Sequence, residues 1–217
     1  MSESNCLIEA RYFLKLNPKK FILACISKCD SRHKIAKEMS LSAVEFEKFT
    51  GISNARQELY KAVDDLYDAT ILLQDPDNDV YTEHRWIQRK TIINRGKAEV
   101  TILWSDDIIK YISQLTKEFT SYKLKNVGRM ESVHTIRLYE LVIRFKNTDQ
   151  KQRDILVEDL KLALGIGGKY SQFMHLNHRI LKPAVEEINK KTDIDLQIQY
   201  IKRDRKVEKL RLMFEMK

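Results

Sequence analysis

The chain has 217 residues, enough for two small domains or one larger domain. Hydrophobic residues make up 43% of it and charged residues 32%, while three prolines and six glycines argue against disordered linkers and against a β-sandwich with many turns. The formal net charge of +8 favours an anionic partner.

The three cysteines are Cys6, Cys25 and Cys29, and they lack the second pair that a zinc site of cysteines would need. We therefore expect buried, reduced thiols. No apolar run approaches 18 residues, and the N-terminus has no basic segment followed by an apolar one. These features predict a chain that is neither exported nor membrane-spanning, and so a location in the cytoplasm.

In the first half of the chain, helices alternate with strand signals. Pro18 opens a helix, and Ser40 or Ser42 can cap a second helix, residues 43–49, which Gly51 ends. A third helix is expected from Ala55 to about residue 67. Residues 85–93 and 99–103 flank a polar turn, which predicts a β-hairpin.

The second half begins with a helix predicted over residues 133–145 and a short strand over residues 153–156. A short apolar helix then ends at Gly165, and Gly167 and Gly168 supply a turn in which positive φ is inexpensive. A longer helix, roughly residues 172–191, and a two-stranded ribbon follow. Helix, turn, helix and wing in this order are typical of a winged-helix DNA reader.

Segments of the two halves resemble each other. Residues 44–52 are similar to residues 157–166, and residues 61–66 are similar to residues 182–188, with a β-rich segment after each copy. One repetition at this distance indicates two related domains and not a solenoid. We therefore predict an α+β, mainly α fold with two tandem winged-helix domains, residues 1–128 and 129–217.

The helix predicted over residues 172–191 has one basic face. Between Asp159 and Glu186 the chain carries no acidic residue. At helical spacing, His175, His178, Arg179 and Lys182 share one face, and Phe173, Leu176, Ile180, Ala184 and Ile188 share the opposite face. The first face suits phosphates and base edges, and the second suits a core. The simpler alternative is an ordinary amphipathic helix whose basic face is only solvated.

From this pattern we assign roles. Base reading in the major groove is predicted for Asn177, His178, Arg179 and Lys182. Phosphate contacts are predicted for Lys169, Ser171, His175, Arg203, Arg205 and Lys206. The corresponding helix of the first domain carries Arg56 and Lys61 among several carboxylates, so that domain is expected to make at most backbone contacts, through Arg56, Lys61, Arg95 and Lys97.

Pro183 poses a difficulty inside this helix, because a proline in a helix interior removes a hydrogen bond and costs about 3 kcal/mol. Either the helix kinks there, which we favour, or Pro183 begins a new helix and the basic face is broken.

Enzyme signatures are weak throughout the chain. The five histidines include no His-x-His pair, and residues 165–169 have neither the spacing nor the hydroxyl of a phosphate-binding Walker loop. We predict no catalysis, no metal and no cofactor.

Two strings are specific in combination: I-R-L-Y-E at residues 136–140 and L-K-P-A-V-E-E-I-N at residues 181–189. With them, nearly the whole chain resembles the Rep initiators of theta-replicating bacterial plasmids. The resemblance implies two fused winged-helix domains that bind directly repeated origin sites (iterons) as a monomer. It also implies a first domain that carries the dimer interface, dimers in equilibrium with monomers that repress their own gene at an operator, and the host initiator DnaA and the replicative helicase as partners.

The chain departs from the family just before Arg179, where Asn177 and His178 stand in place of the usual basic residues. Since Asn pairs with adenine and Arg with guanine, this departure can alter which bases are read. A transcriptional repressor that binds an inverted site is the alternative function. A winged-helix scaffold for protein–protein contacts is a third, and it would show no salt-dependent DNA binding.

Overall fold

The structure is a computed structural model that describes residues 2–4, 7–8, 10–28, 35–75, 80–93, 96, 98–112, 119–121, 123–148 and 151–217. It divides into two compact units, unit 1 (Met1–Arg129) and unit 2 (Met130–Lys217). The sequence had placed the boundary between residues 128 and 129.

Unit 1 is built from helices and short antiparallel strands. In chain order the elements are β1 Ser2–Ser4, β2 Arg11–Tyr12, α1 Leu16–Ser27, β3 Glu38–Ser42, α2 Ala43–Thr50, α3 Ala55–Asp68, β4 Thr70–Asp75, β5 Val80–Arg85, β6 Ile87–Ile93, β7 Glu99–Trp104, α4 Asp106–Ile112, β8 Phe119–Ser121 and α5 Leu124–Gly128. The strands pair in the orders β2–β4–β5, β3–β7–β6 and β1–β8. The predicted hairpin is confirmed as β6 and β7, which pair from Ile87 with Trp104 to Ile93 with Glu99.

Local signals define the start and end of α2. Ser42 accepts a hydrogen bond from the backbone N–H of Glu45 at 3.3 Å, and the Glu45 carboxylate accepts one from the backbone N–H of Ser42 at 2.8 Å. This reciprocal pair is a capping box. Gly51 ends the helix at φ +75°, a left-handed conformation that glycine adopts without steric cost. Ser42 is thus the cap, and the predicted stop at Gly51 is confirmed.

The core of unit 1 lies between its helices and the β6–β7 hairpin. Fully buried apolar side chains come from α1, α2, α3, the hairpin and the residue before it, among them Phe21, Ile22, Phe46, Leu59, Val63, Leu66, Trp86 and Trp104. The alternation along β7 puts Val100, Ile102 and Trp104 on the buried face. The hairpin therefore closes the core in the way the wing of a winged helix does.

Unit 2 repeats this plan with fewer strands. Its elements are α6 Val133–Ile143, β9 Gln152–Leu156, α7 Val157–Ala163, α8, β10 Ile194–Arg203 and β11 Lys206–Met216, where α8 is a helical run of three segments, Phe173–Leu176, Asn177–Leu181 and Lys182–Lys191. The sheet order is β10–β11–β9, all antiparallel. Both units therefore have helix–strand–helix–turn–helix–hairpin order, and the predicted tandem winged-helix fold is confirmed.

A buried arginine on α6 fastens that helix to α7. Arg137 and Glu140 are almost completely buried, and a guanidinium nitrogen of Arg137 lies 3.4 Å from the Glu140 carboxylate. The same guanidinium donates two hydrogen bonds, at 3.1 and 3.0 Å, to the carbonyl of Ala163 at the end of α7. A cation at a helix C-terminus satisfies carbonyls that have no partner in the helix. The I-R-L-Y-E string thus has a structural role in holding α6 against the end of α7.

Candidate nucleic-acid interface

The turn between α7 and α8 depends on glycine. Gly165 and Gly168 have φ of +69° and +75°. A side chain at Gly167 would meet Leu162 at 2.9 Å, so the turn also packs closely on α7. Tyr170 adopts a positive φ of 56°, which is uncommon for a bulky residue. This tight turn directs α8 away from α7 in the helix–turn–helix geometry predicted from the sequence.

The central segment of α8, Asn177–Leu181, is a π-helical turn. The backbone N–H of Lys182 donates to the carbonyl of Asn177, a step of five residues in place of four. In a regular α-helix the ring of Pro183 would clash with the carbonyl of residue 179, and the wider turn ends at Leu181, two residues before this proline. The helical run continues through Pro183, so the helix is not split there.

The π turn corrects the predicted core face of α8. Leu176, Leu181, Ala184 and Ile188 are buried, and the interval from Leu176 to Leu181 is one residue longer than an α-helix would give. Ile180, which the sequence placed in the core, is only half-buried. Regular α-helical spacing assigned that position wrongly because it could not include the extra residue of the π turn.

The predicted basic face of α8 is exposed. His175, His178, Arg179 and Lys182 all lie on the solvent side, and none of them forms an ion pair within the described residues. Two other cations of unit 2 do have carboxylate partners: Arg211 lies 2.7 Å from Asp154, and Lys191 lies 2.8 Å from Glu131. The exposed face of α8 therefore carries positive charge that no carboxylate of the described structure neutralises.

Asn177 is in a different position from its neighbours. It is half-buried, and its side-chain oxygen accepts a hydrogen bond of 2.9 Å from the hydroxyl of Tyr200 on β10. The Tyr200 ring also meets Phe173 edge to face, with centroids 5.2 Å apart. Sequence reasoning missed Tyr200; its only signal was an aromatic residue at an outward position of the ribbon. Base reading by Asn177 would have to replace the Tyr200 hydrogen bond or share Asn177 with it.

The wing places further cations at its tip. Asp204 and Arg205 have φ of 48° and 69°, so they form the two-residue, left-handed turn that suits a β-hairpin. Arg205 and Lys206 are exposed and form no ion pair within the described part of the chain. Arg203 lies 3.3 Å from Glu208, in an exposed pair of little energetic weight. All three cations can therefore turn toward phosphates.

Lys169 and Ser171, the other predicted phosphate contacts, precede α8 and are exposed. Gln172, the N-cap of α8, makes no side-chain capping hydrogen bond, and the first N–H groups of a helix have no partner within it.

The pKa of His134 on α6 is lowered. Burial and the charge of Lys169 lower it, and a hydrogen bond to the carbonyl of Leu164 only partly opposes them. His134 therefore tends to be neutral.

The corresponding helix of unit 1, α3, has a mixed surface. Arg56 is exposed and lies over the ring of Tyr60 at 5.9 Å, and Lys61 is exposed. Three of the four α3 carboxylates have partners outside the helix: Glu58 accepts from Asn17, Asp64 pairs with Lys90, and Asp65 lies 2.7 Å from Lys15. The remaining predicted backbone contacts of unit 1, Arg95 and Lys97, lie outside the described residues. The face of α3 thus has less excess positive charge than that of α8.

Within the described ranges, no helix is both long and apolar enough to cross a membrane. The same part of the chain brings together no group of three or more His, Cys, Asp or Glu residues that could hold a metal ion.

Two family models match the chain. The first, described as "Initiator Replication protein, WH1", matches residues 1–143, and the second, "Initiator Rep protein, WH2", matches residues 156–214. The chain belongs to the family of initiator replication proteins. The designations WH1 and WH2 agree with the two winged-helix units, and this family is one of DNA-binding initiators.

Individual relatives agree with this assignment. A curated replication initiation protein of Escherichia coli is 25% identical over 223 residues, which cover 99% of this chain and 69% of the relative. Among solved structures, the Pi initiator protein in complex with iteron DNA is similar with a TM-score of 0.84 at 21% identity, covering 100% of this chain and 97% of that one. Domains 2 and 3 of RctB are similar with a TM-score of 0.58 at 11% identity, covering 93% and 82%. At these identities the solved structures establish the fold.

Proposed function

We propose that the chain initiates replication of a plasmid by binding, as a monomer, to directly repeated iterons in the origin. The observation that supports this proposal most is the exposed face of α8. Its cations have no carboxylate partner in the described structure, so they are available to DNA. Family membership and the fold shared with an initiator that was solved on iteron DNA support it.

In this proposal α8 enters the major groove. Arg179 donates two hydrogen bonds to a guanine, the commonest specific contact in such interfaces. His178 and Lys182 reach neighbouring base edges, and Asn177 pairs with adenine. Lys169, Ser171, His175, Arg203, Arg205 and Lys206 hold phosphates, which fix the register of the protein on the duplex and contribute most of the salt dependence.

Unit 1 has the supporting role. Arg56, Lys61, Arg95 and Lys97 contact the DNA backbone, and the same unit carries the interface of a dimer that represses the protein's own gene. The protein acts in the cytoplasm by binding and not by catalysis, and its partners are the host DnaA and the replicative helicase. Filling adjacent iterons strains the duplex so that these host proteins can enter.

Footprinting tests this function directly. The protein is titrated onto DNA from around its own gene at two salt concentrations. We expect protection of regularly spaced direct repeats, with an affinity that falls as salt rises, by about 0.9 log units per log unit of salt for each neutralised phosphate. Protection of an inverted promoter site alone would instead establish a repressor. Binding without any specific footprint would contradict base reading by α8.

A further inference from the structure

Unit 1 contains a cavity of about 610 Å³ that lies outside the DNA-binding surface described above. Its wall is formed by α1, β3, α2, α5 and the residues that follow α1 and α5: Ala24, Ser27, Lys28, Leu41, Glu45, Lys48, Phe49, Leu124, Lys125 and Arg129. This volume is within the range of roughly 300–1,000 Å³ that small-molecule sites occupy. The cavity is therefore large enough for a metabolite-sized ligand.

The apolar part of the wall is preformed. Leu41 is buried in β3, and Phe49 and Leu124 are half-buried. A side-chain carbon added at Gly128 would lie 2.5 Å from the ring and from the carbonyl of Phe49, so α5 packs directly on the end of α2. This close packing fixes the distance between the two helices that line the cavity.

The polar part of the wall is cationic. Lys28, Lys48, Lys125 and Arg129 border the cavity, against the single carboxylate of Glu45. That carboxylate already accepts a hydrogen bond of 2.8 Å from Lys28. Lys48 and Lys125 are exposed and form no ion pair within the described residues. An apolar floor below a cationic rim is complementary to a molecule with an apolar body and an acidic group.

We propose that this cavity is a binding site for a small amphipathic anion. The apolar body of the ligand packs on Leu41, Phe49 and Leu124, while Lys48, Lys125 and Arg129 hold its carboxylate, sulfonate or phosphate group. An uncharged apolar molecule would leave the rim without a counter-charge, and a free inorganic anion would leave the floor uncovered. Both are therefore weaker ligands than a molecule that combines the two features.

The position of α5 suggests what such a ligand would affect. The helix lines the cavity through Leu124 and Lys125, and it is the last element of unit 1 before the chain enters unit 2 at Met130. A ligand that binds the folded wall stabilises it by mass action. Occupancy therefore stabilises the end of unit 1 that is connected to the DNA-reading unit. The site itself is independent of the proposed function.

The test uses the full chain and the probe 8-anilinonaphthalene-1-sulfonate in isothermal titration calorimetry. We expect one saturable site per chain. The double variant Lys48→Glu/Lys125→Glu should weaken binding at least tenfold, and Ser27→Phe, which puts a ring into the cavity, should do the same. N-phenyl-1-naphthylamine, which lacks the sulfonate, should bind the parent protein at least tenfold more weakly.

Two matched controls separate this site from general attraction to cations. Lys110→Glu reverses an exposed charge on α4, away from the cavity, and Arg179→Ala removes one from α8; both should leave the affinity within twofold. The proposal fails if the cavity variants, with a cooperative melting transition retained, keep the parent affinity. It also fails if Arg179→Ala weakens binding as much as the cavity variants do.

Discussion

Arg179 lies in the middle of the exposed face of α8, and its guanidinium has no carboxylate partner within the described residues. If it donates to a guanine, Arg179→Ala should cost about 1–3 kcal/mol and relax base preference at one position of the site. Selection of binding sites from a randomised pool, followed by titration of the preferred sequence, measures both effects. Equal weakening on all sequences, with unchanged base preference, would reassign Arg179 to a phosphate.

The hydrogen bond between Tyr200 and Asn177 gives a second residue-level prediction. Tyr200→Phe removes the donor hydroxyl but keeps the ring that contacts Phe173. The free energy of unfolding should fall by about 1 kcal/mol or less, because one exposed hydrogen bond is lost. The freed Asn177 amide should change the preferred base at one position.

Asn177→Ala supplies the control for this prediction. In that background, Tyr200→Phe should no longer alter base preference, since the amide through which it acts is missing. A change that persists without Asn177 would mean that Tyr200 itself contacts the DNA.

At the scale of elements, the contact between α6 and α7 depends on Arg137, which donates to the Ala163 carbonyl and pairs with Glu140 within α6. Arg137→Met leaves the Glu140 carboxylate buried without this partner and removes both donors from the Ala163 carbonyl. We expect the variant to lose about 3–5 kcal/mol of unfolding free energy. The double variant Arg137→Met/Glu140→Leu should lose less, because no buried charge is left over. Urea denaturation of both variants compares them, and a double variant as unstable as the single one would contradict this reasoning.

The cap of α2 gives the protein a pH-dependent element. Burial raises the pKa of Glu45, but hydrogen bonds from Lys28 and Ser42 outweigh that effect and lower the pKa from 4.5 to about 2. Because the folded-state pKa is depressed, the carboxylate stabilises the fold fully above pH 4.5, and this contribution is lost as the pH falls toward 2. Glu45→Gln should therefore be less stable than the parent near neutral pH, by a margin that shrinks as the pH falls below 4.5.

Urea unfolding at pH 6 and at pH 3 measures that margin. Glu47→Gln, on the exposed side of the same helix, is the matched control for the loss of one charge. A margin for Glu45→Gln that is the same at both pH values would show that the carboxylate is not held by its cap.

An element could be predicted from the sequence when a few neighbouring residues determine it. The cap at Ser42 and the stop at Gly51 depend on a few consecutive residues, and both could be predicted from the sequence. The π turn depends on Pro183 together with the need to bury both Leu176 and Leu181. The spacing of a regular α-helix does not include the extra residue between Leu176 and Leu181, so the sequence wrongly placed Ile180 in the core.

For the whole molecule, the order of elements was sufficient to predict two winged helices, because each half has helix, turn, helix and hairpin signals in sequence. The basic face of α8 was also predictable, since it needs only helical spacing and an absence of carboxylates. The Tyr200–Asn177 hydrogen bond was not predictable, because it depends on how β10 packs against α8. The same holds for the cavity, whose walls come from four separate elements and the residues after α1 and α5.

Salt dependence is a property of the whole molecule, since it counts every phosphate that the protein neutralises. Arg205→Ala should weaken binding to all sequences alike and lower the slope of log affinity against log salt by about 0.9. Arg205→Gly is the companion variant, because glycine keeps the positive φ of the turn without steric cost. Both variants should show the same slope. A specificity profile like that of Arg179→Ala would contradict the assignment of Arg205 to phosphate.

The π turn in α8 also affects a comparison of this protein with any relative whose corresponding helix is uninterrupted. An alignment of α8 with an uninterrupted α-helix must open a gap of one position between Leu176 and Leu181. Alignment methods that penalise gaps inside helices would omit it, and each residue on one side of the turn would be displaced by about 100° around the helix axis. His178 would then be aligned with the relative's residue that truly corresponds to Arg179. Base preferences transferred from relatives would be assigned to the wrong side chains.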